Sequence, residues 1–341
     1  MLRSVAEIVV VTRPTELAAL RSRFVTDDQV RFYIKRAKVQ DRARRRADAG
    51  EPRNLAVAKR QMQADLDQAE VAIHDLVARD EGYSHVLQAL REQLDFELAV
   101  RFIDRSFLAN FDFGRTAVVV VVGQDGLVAN TAKYVGDLPL VAVNPDPDHI
   151  DGILLPFAPS QARGAVERAL QKRAKIRQVT LAEVQLNDGQ RMLAFNDFFI
   201  GSASHVSARY NLEFQGVLEP QSSSGVLVST GAGSTGWFSS VINMARGVAH
   251  WQNQPAPEPV ALRWEDRRLA WAVREPFLSK SSGVSQVAGF VDEGQELILE
   301  SMMPSAGVIF SDGIEADFLQ FNSGAIARIF ISRQRARLVV G

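Results

Sequence analysis

The chain has 341 residues, of which 46% are hydrophobic and 23% are charged, as in an ordinary globular protein of one or two domains. Its 39 basic and 40 acidic residues give a net charge of −1, so no overall field favours nucleic acid or a membrane as a partner. Cysteine is absent, which excludes disulfides and thiolate metal sites and fits a reducing compartment. We expect a cytoplasmic protein without nucleic-acid or membrane partners, and a homodimer or a higher homo-oligomer.

The first hundred residues predict one strand followed by helices. The apolar run at 6–12 is typical of a strand, and Thr15–Phe24 is typical of a helix. Helical spacing of apolar residues then continues from about residue 30 to about residue 100. The tract Arg31–Gly50 holds eight Lys or Arg residues against two Asp. It could bind phosphates, but a solvated helix face is the commoner outcome of such a charge run.

A run of β-branched residues, Thr116–Val122, predicts a buried strand that ends in the loop "GQDG", Gly123–Gly126. A helical segment follows this loop, and the apolar run at 138–144 is typical of a second buried strand. Strand, loop, helix and strand make a βαβ unit, so we expect a parallel sheet in this part of the chain.

After a short helix near Arg163–Lys175 the sequence becomes rich in strands. The tripeptide Asn187-Asp188-Gly189 joins two alternating runs and predicts a hairpin. We predict an α/β domain with a parallel sheet at 1–160, which carries the helical insertion and the GQDG loop. A β-rich domain at 161–320 follows, and a strand segment at 321–341 returns to the first domain.

A glycine-rich turn follows one of the later strands. Gly231–Gly236 spells G-x-G-x-x-G, the spacing of a dinucleotide-binding turn. A Rossmann site needs an acid about twenty positions on, after a second strand, but residues 245–259 show no strand pattern and one acid, Glu258. Ser234 also has the setting of a hydrolase nucleophile, yet only His250 follows it and no acid lies between them. The motif alone therefore indicates neither class.

Two polar turns are candidates for chemistry. The glycines of GQDG would let backbone N–H groups approach a phosphate, and Asp125 could act as a base or hold a metal, although a plain solvated turn is the simpler interpretation. The pair Asn196–Asp197 at a strand end can equally be an ordinary turn without a functional role, because Asn and Asp favour turns. The P-loop sequence and the catalytic-loop H-R-D of protein kinases are absent, and the five histidines lack ligand spacing, so we assign no metal ligand.

Six segments occur in order along residues 105–335: "VVVVVGQDGLVANTAKY", "LVAVNPDPDHIDGILLPF", "LAFNDFFIG", "SSSGVLVSTGAGSTGWFSS", "WAVREPF" and "GVIFSDG". In this order they resemble the NAD kinase family, and more particularly its mitochondrial-type branch. The first is similar to the family's strand and G-G-D-G loop, the third to its Asn-Glu motif, and the fourth to its Thr-x-Thr-Gly-Ser glycine loop.

The resemblance implies a two-domain NAD kinase-like fold with the active site between the domains. The implied reaction transfers a phosphoryl group from ATP with Mg²⁺, or from polyphosphate, to the adenosine ribose 2′-hydroxyl of NAD, which gives NADP. By position, Asp125 is implied to be the catalytic base, and Gly123 and Gly126 to shape the turn near the phosphates. The residues implied to bind the dinucleotide, in the β-rich domain, are Asn196, Asp197, Thr230, Gly233, Ser234 and Thr235.

Three positions depart from the family pattern. Gln124 replaces a glycine, Leu127 stands where the family often has Thr, and Asp197 replaces Glu. They motivate a first alternative, a nucleotide-binding protein of the same fold without kinase activity. A second alternative is a kinase for a lipid or sugar hydroxyl. The Asn-Asp and Ser-Thr-Gly segments favour a dinucleotide over a lipid, and the sequence shows no evident amphipathic membrane helix.

Overall fold

The computed structural model describes residues 6–24, 26–48 and 55–341. The helices in these ranges are α1 (Glu16–Arg21), α2 (Asp27–Asp48), α3 (Leu55–Gln93), α4 (Asp125–Ala132), α5 (Ala162–Leu170) and α6 (Trp237–Trp251). The strands of the first half are β1 (Glu7–Thr12), β2 (Ala99–Asp104), β3 (Thr116–Val122) and β4 (Pro139–Val143). Those of the second half are β5 (Lys175–Leu186), β6 (Arg191–Ala194), β7 (Asp197–Ser202), β8 (Ala208–Phe214), β9 (Val217–Ser223), β10 (Val226–Ser229), β11 (Arg268–Val273), β12 (Ala288–Asp292), β13 (Leu297–Ser301), β14 (Gly307–Ser311), β15 (Phe318–Gln320) and β16 (Ile326–Val340).

The first half contains the expected parallel sheet, in the order β2-β1-β3-β4. Strands β1, β3 and β4 are almost fully buried because helices cover the sheet, and the β-branched side chains of these strands pack beneath the helices. The βαβ unit made by β3, α4 and β4 is as predicted. Strand β2 was not predicted: it begins where the predicted helical spacing ends, and it is a partly exposed edge strand with a weak apolar pattern.

The helical insertion consists of α2 and α3, which pack against each other, with α1 beside them. The basic tract lies mostly on α2, and its residues 49 and 50 fall outside the described ranges. Arg31 and Lys35 form ion pairs with Glu70 of α3. These side chains are roughly half exposed, so the charges lie on a solvated helix face and are partly neutralised by α3.

A long last strand joins the two halves. Strand β16 pairs antiparallel with β5 along most of its length and with β13, and it pairs in parallel with β4. One ten-stranded sheet therefore runs from β2 to β9. Because the sheet runs across it, the division of the chain near residue 160 stays a prediction.

A separate six-stranded antiparallel sheet has the order β12-β11-β10-β7-β14-β15. Its inner face packs against the antiparallel half of the first sheet in a core that includes Tyr210, Trp271 and Ile309. The predicted hairpin at Asn187–Gly189 joins β5 to β6, but the run after it is divided: β6 lies in one sheet and β7 in the other. No helix in the described ranges has both the length and the apolar character that a bilayer span requires.

Candidate functional site

A cleft opens at the point in the parallel sheet where the strand order reverses. The chain leaves β1 toward β2 on one side and leaves β3 toward β4 on the other, so the carboxyl ends of β1 and β3 flank a topological switch point. Ligands of open α/β sheets bind at such points. A cavity of about 660 Å³ lies here, between these strand ends and the helices α1 and α3. The loop residues that line it include Arg13, Gln124, Asp146 and His149.

The GQDG loop forms one edge of this cleft and begins α4. Asp125 is the first residue of the helix, and its two carboxylate oxygens accept hydrogen bonds from the backbone N–H groups of Leu154, at 2.8 Å, and Ile153, at 3.2 Å. The carboxylate is partly buried and is held in one orientation by these two hydrogen bonds. Gly126 is exposed, and a methyl group there would meet nothing within 4 Å, so a ligand can approach this backbone closely.

The two departures in this loop have different surroundings. Gln124 is the N-cap of α4, but its side chain makes no capping hydrogen bond; it is exposed and lines the cavity. Leu127 is buried beneath the loop, and its Cδ2 would lie 2.8 Å from a methyl group at Gly123. A side chain at Gly123 would therefore displace the end of the Leu127 side chain, whereas Gln124 faces the space that a ligand would enter.

The Asn196–Asp197 turn lies between β6 and β7 and is held by Asp312, which follows β14. The Asp312 carboxylate accepts hydrogen bonds from the N–H groups of Phe195 at 3.1 Å, Asn196 at 2.6 Å and Asp197 at 3.3 Å. The N–H of Asp312 donates in turn to the carbonyl of Asp197 at 3.0 Å. Asp312 has a φ of 55°, a left-handed conformation that Asp tolerates better than most residues. This polar network fixes the turn at the point where the chain passes between sheets.

A buried lysine connects this turn to α4. Lys133, directly after α4, donates to Ser311 Oγ at 2.8 Å, and its Nζ lies 3.6 Å from Asp312 Oδ2. The two side chains of the ion pair are 3% and 2% exposed. Burial raises the pKa of Asp312, and the Lys133 ammonium opposes this rise. Neither residue was assigned from the sequence; the only available signals were a lysine in an otherwise apolar helix and the Asp-Gly turn of "GVIFSDG".

Asp197 is a buried carboxylate that lacks a donor. The residue is 7% exposed, and its carboxylate accepts no hydrogen bond from the described part of the chain. Burial, and then repulsion from Asp312, raises the pKa of Asp197 to about 7. Near neutral pH this side chain can accept a hydrogen bond from a sugar hydroxyl or donate one to it. The side-chain amide of Asn196 beside it is partly exposed and is likewise unbonded among the described residues.

The glycine-rich turn packs directly on the Asn196 turn. Thr230 Oγ1 donates to the carbonyl of Phe195 at 2.6 Å, and the N–H of Thr230 donates to the carbonyl of Asn196 at 2.9 Å. A methyl group at Gly233 would lie 2.2 Å from that carbonyl oxygen. Ser234 is buried and donates to Gly231 O at 2.8 Å, whereas Thr235 is exposed. The hydroxyls of Thr230 and Ser234 thus hold the loop together, and Thr235 is free to meet a ligand.

The predicted residues form two groups: Asp125 begins α4, and the Asn196 turn is linked through Asp312 to Lys133, the residue after α4. Asn196, Asp197, Thr230 and Gly233 are in direct contact, and no hydrogen bond or ion pair in the described ranges joins Asp125 to them. The apolar face of α4 shares one buried cluster with Phe195 and Ala232, so this helix packs against both the Asn196 turn and the glycine-rich turn.

Two solved structures with related folds cover about three quarters of the chain. A crystal structure of yeast NADH kinase with NADH matches 76% of this chain and 80% of its own length, with a TM-score of 0.52 and 16% identity. An NAD kinase from Archaeoglobus fulgidus in complex with ATP matches 75% of this chain and 88% of its own, with a TM-score of 0.50 and 18% identity. No model of a protein family matches the sequence, and no curated protein matches it.

The chain has the NAD kinase fold. The predicted fold class, a parallel α/β sheet followed by a β-rich part, is thereby confirmed. Within the NAD kinase fold, the assignment to the mitochondrial-type branch and the roles of the site residues stay predictions.

Proposed function

We propose that this protein is an NAD kinase that phosphorylates the adenosine ribose 2′-hydroxyl of NAD and releases NADP. The observation that carries the proposal is the NAD kinase fold combined with the GQDG loop at the switch point of its parallel sheet. The turn at Asn196–Asp197 and the glycine loop supply a second set of polar groups. Two sets of polar groups suit a dinucleotide, with its two sugars and its pyrophosphate, better than a small hydroxyl substrate.

In this mechanism the 2′-oxygen of NAD attacks the terminal phosphorus of the donor, and the bond from that phosphorus to the bridging oxygen breaks. Asp125 takes the hydroxyl proton; its orientation is fixed by the N–H groups of Ile153 and Leu154. The leaving phosphate keeps the electron pair of the broken bond. Most of the rate enhancement comes from positioning and charge neutralisation, because a phosphoryl transition state demands little covalent chemistry from the protein.

At the dinucleotide end, Asp197 and Asn196 bind sugar hydroxyls and Thr235 lines the exposed side of the pocket. The unbonded carboxylate of Asp197 gains from this, since a hydroxyl supplies the hydrogen bond that the chain itself leaves out. Asp is one methylene shorter than the Glu of the family pattern, and the backbone of the turn that carries it is fixed by Asp312.

The cleft also fits a donor that arrives with Mg²⁺. Mg²⁺ usually keeps several waters and is held by one or two carboxylates together with substrate phosphates, so a dedicated protein cage is not needed. In the described ranges no cluster of three or more His, Cys, Asp or Glu occurs, whereas Asp146 lines the same cavity as Gln124 and can supply an oxygen. Bound with the donor, Mg²⁺ would neutralise charge on its phosphates.

The deciding experiment measures NADP formation from NAD with Mg²⁺ and either ATP or polyphosphate. Formation of NADP with one of these donors is the expected result. Asp125→Asn should lower kcat about 10²–10⁴-fold with NAD binding retained, because the general base is removed. The matched control is Asp148→Asn, an exposed carboxylate outside the cavity lining, which should keep wild-type turnover.

Each alternative predicts a different result in the same assay. If NAD binds but no NADP forms with either donor, the chain is a nucleotide-binding protein without transfer, as Gln124 and Leu127 would explain. Phosphorylation of a diacylglycerol or a sugar in place of NAD would assign the second alternative. If Asp125→Asn keeps full turnover, the base is wrongly assigned although the kinase proposal stands.

A further inference from the structure

Arg13 lies at the end of β1, beside the GQDG loop. A methyl group at Gly123 would lie 3.5 Å from Arg13 Cδ and 3.6 Å from Arg13 Nε, so the arginine side chain packs against the first glycine of the loop. Arg13 and Gln124 line the same cavity. The side chain therefore reaches the place where the GQDG loop would receive phosphates.

The charge of Arg13 is not neutralised by the protein. In the described part of the chain its guanidinium forms no ion pair and donates no hydrogen bond, whereas Arg21 nearby is paired with Asp27 and Asp80. The cavity is not basic overall, because its lining contains the cations and acids Arg13, Arg79, His149, Glu16, Asp75 and Asp146. Among these, Asp146 already accepts from the His149 ring. Arg13 is the cation that contacts the loop.

The position of Arg13 is fixed from two sides. Its backbone N–H donates to the hydroxyl of Tyr83 at 3.2 Å, and that hydroxyl donates to the carbonyl of Val122 at 2.9 Å. Tyr83, on α3, thus clamps the ends of β1 and β3 together, and burial raises its pKa so that the hydroxyl stays protonated. Pro14 further restricts the backbone of Arg13 to extended conformations. These contacts fix the backbone that places the guanidinium beside the GQDG loop, and a cation positioned there favours an anionic ligand.

We propose that Arg13 is a catalytic residue that contacts the terminal phosphates of the phosphoryl donor and neutralises their charge during transfer. This inference rests on the proposed kinase function. As the 2′-oxygen bonds to the terminal phosphorus and the bridging P–O bond breaks, charge gathers on the bridging oxygen and on the transferred group. Arg13 donates N–H bonds to these oxygens, and the hydroxyl proton goes to Asp125. The planar fork of guanidinium suits two phosphate oxygens at once.

The test compares Arg13→Met with Arg23→Met in the full-length chain. Arg23 is exposed, lies outside the cavity lining, and its side chain forms no ion pair among the described residues, so it controls for the loss of one positive charge. For Arg13→Met we expect kcat/KM for the donor to fall about 10²–10³-fold, with the KM for NAD changed by less than about twofold. Arg13→Lys should recover part of the loss, because it restores the charge without the fork.

A second measurement separates this inference from the kinase proposal itself. Binding of inorganic triphosphate is measured by calorimetry, and thermal unfolding confirms that each variant is folded. Weaker binding to Arg13→Met than to Arg23→Met supports the arginine as a phosphate ligand even if the wild type makes no NADP, a result that would overturn the kinase proposal alone. Equal binding and equal turnover in the two variants would overturn the role of Arg13 and leave the kinase proposal intact.

Discussion

At the scale of single residues, the site contains two buried carboxylates that differ in their hydrogen-bond and charge partners. Asp312 accepts three backbone N–H bonds and faces the Lys133 ammonium, so the cost of its burial is partly compensated. Asp197, on the turn that Asp312 caps, is buried without a donor among the described residues, and its pKa rises to about 7. A buried polar group left unsatisfied costs free energy, and it is commonly found where a ligand completes the hydrogen bonds.

This difference predicts how stability depends on pH. Between about pH 4 and pH 7 the folded protein holds a proton at Asp197 that the unfolded chain has released, so the free energy of unfolding falls as the pH rises. The loss is at most about 1.4 kcal/mol per pH unit and ends above the folded pKa. In Asp197→Asn this contribution is absent. Urea unfolding of both proteins is measured at several pH values between 5 and 8. The free energy of unfolding of the variant should increase relative to that of the wild type as the pH rises. A difference that stays constant with pH would contradict the assigned pKa.

At the scale of an element, the glycine-rich turn shows why its spacing resembles a Rossmann motif without belonging to one. A methyl group at Gly231 would lie 1.9 Å from the carbonyl oxygen of Arg263, and one at Gly233 would lie 2.2 Å from that of Asn196. Both glycines are thus required by neighbouring backbone within the protein. The sequence correctly located a tight strand-to-helix turn before α6, but the partners of its glycines are distant in the chain and could not be read from the motif.

Replacement by alanine should therefore change the free energy of unfolding in opposite directions at Gly233 and at Gly247. Gly233→Ala should lower the free energy of unfolding by about 1–3 kcal/mol or more, since backbone on the facing turn cannot move aside easily. Gly247→Ala, within α6 and with nothing within 4 Å of the added methyl group, should raise it by about 0.5–1 kcal/mol. Urea unfolding measures both. NAD affinity should also fall in Gly233→Ala, because the Asn196 turn is displaced; equal stability of the two variants would contradict the packing described here.

At the scale of the whole molecule, the sequence predicted what depends on local pattern. The β-branched run of β3, the βαβ unit and the hairpin at Asn187–Gly189 all carry their signals within a few residues. The edge strand β2 and the passage of the chain between sheets at Asn196 were not predicted, because each depends on neighbours far along the sequence. The same is true of the Lys133–Asp312 pair, which joins α4 on the first sheet to the turn after β14 on the second.

That pair predicts an energetic coupling between the two halves of the molecule. Lys133→Met leaves Asp312 buried without its cation, and Asp312→Asn leaves the ammonium buried without a carboxylate partner among the described residues, so each should lower the free energy of unfolding by about 3–5 kcal/mol. The double variant contains no unpaired charge, so its loss of stability should be smaller than the sum of the two single losses by about 1–3 kcal/mol.

Urea unfolding at pH 7 measures this double-mutant cycle, and the exposed pair Arg268–Asp292 is the control, with a much smaller expected coupling. Additive losses at Lys133 and Asp312 would mean that the ion pair does not couple α4 to the second sheet. A measured coupling would instead mean that a buried contact at the carboxyl end of α4 holds the Asn196 turn against this helix, because Asp312 also caps that turn.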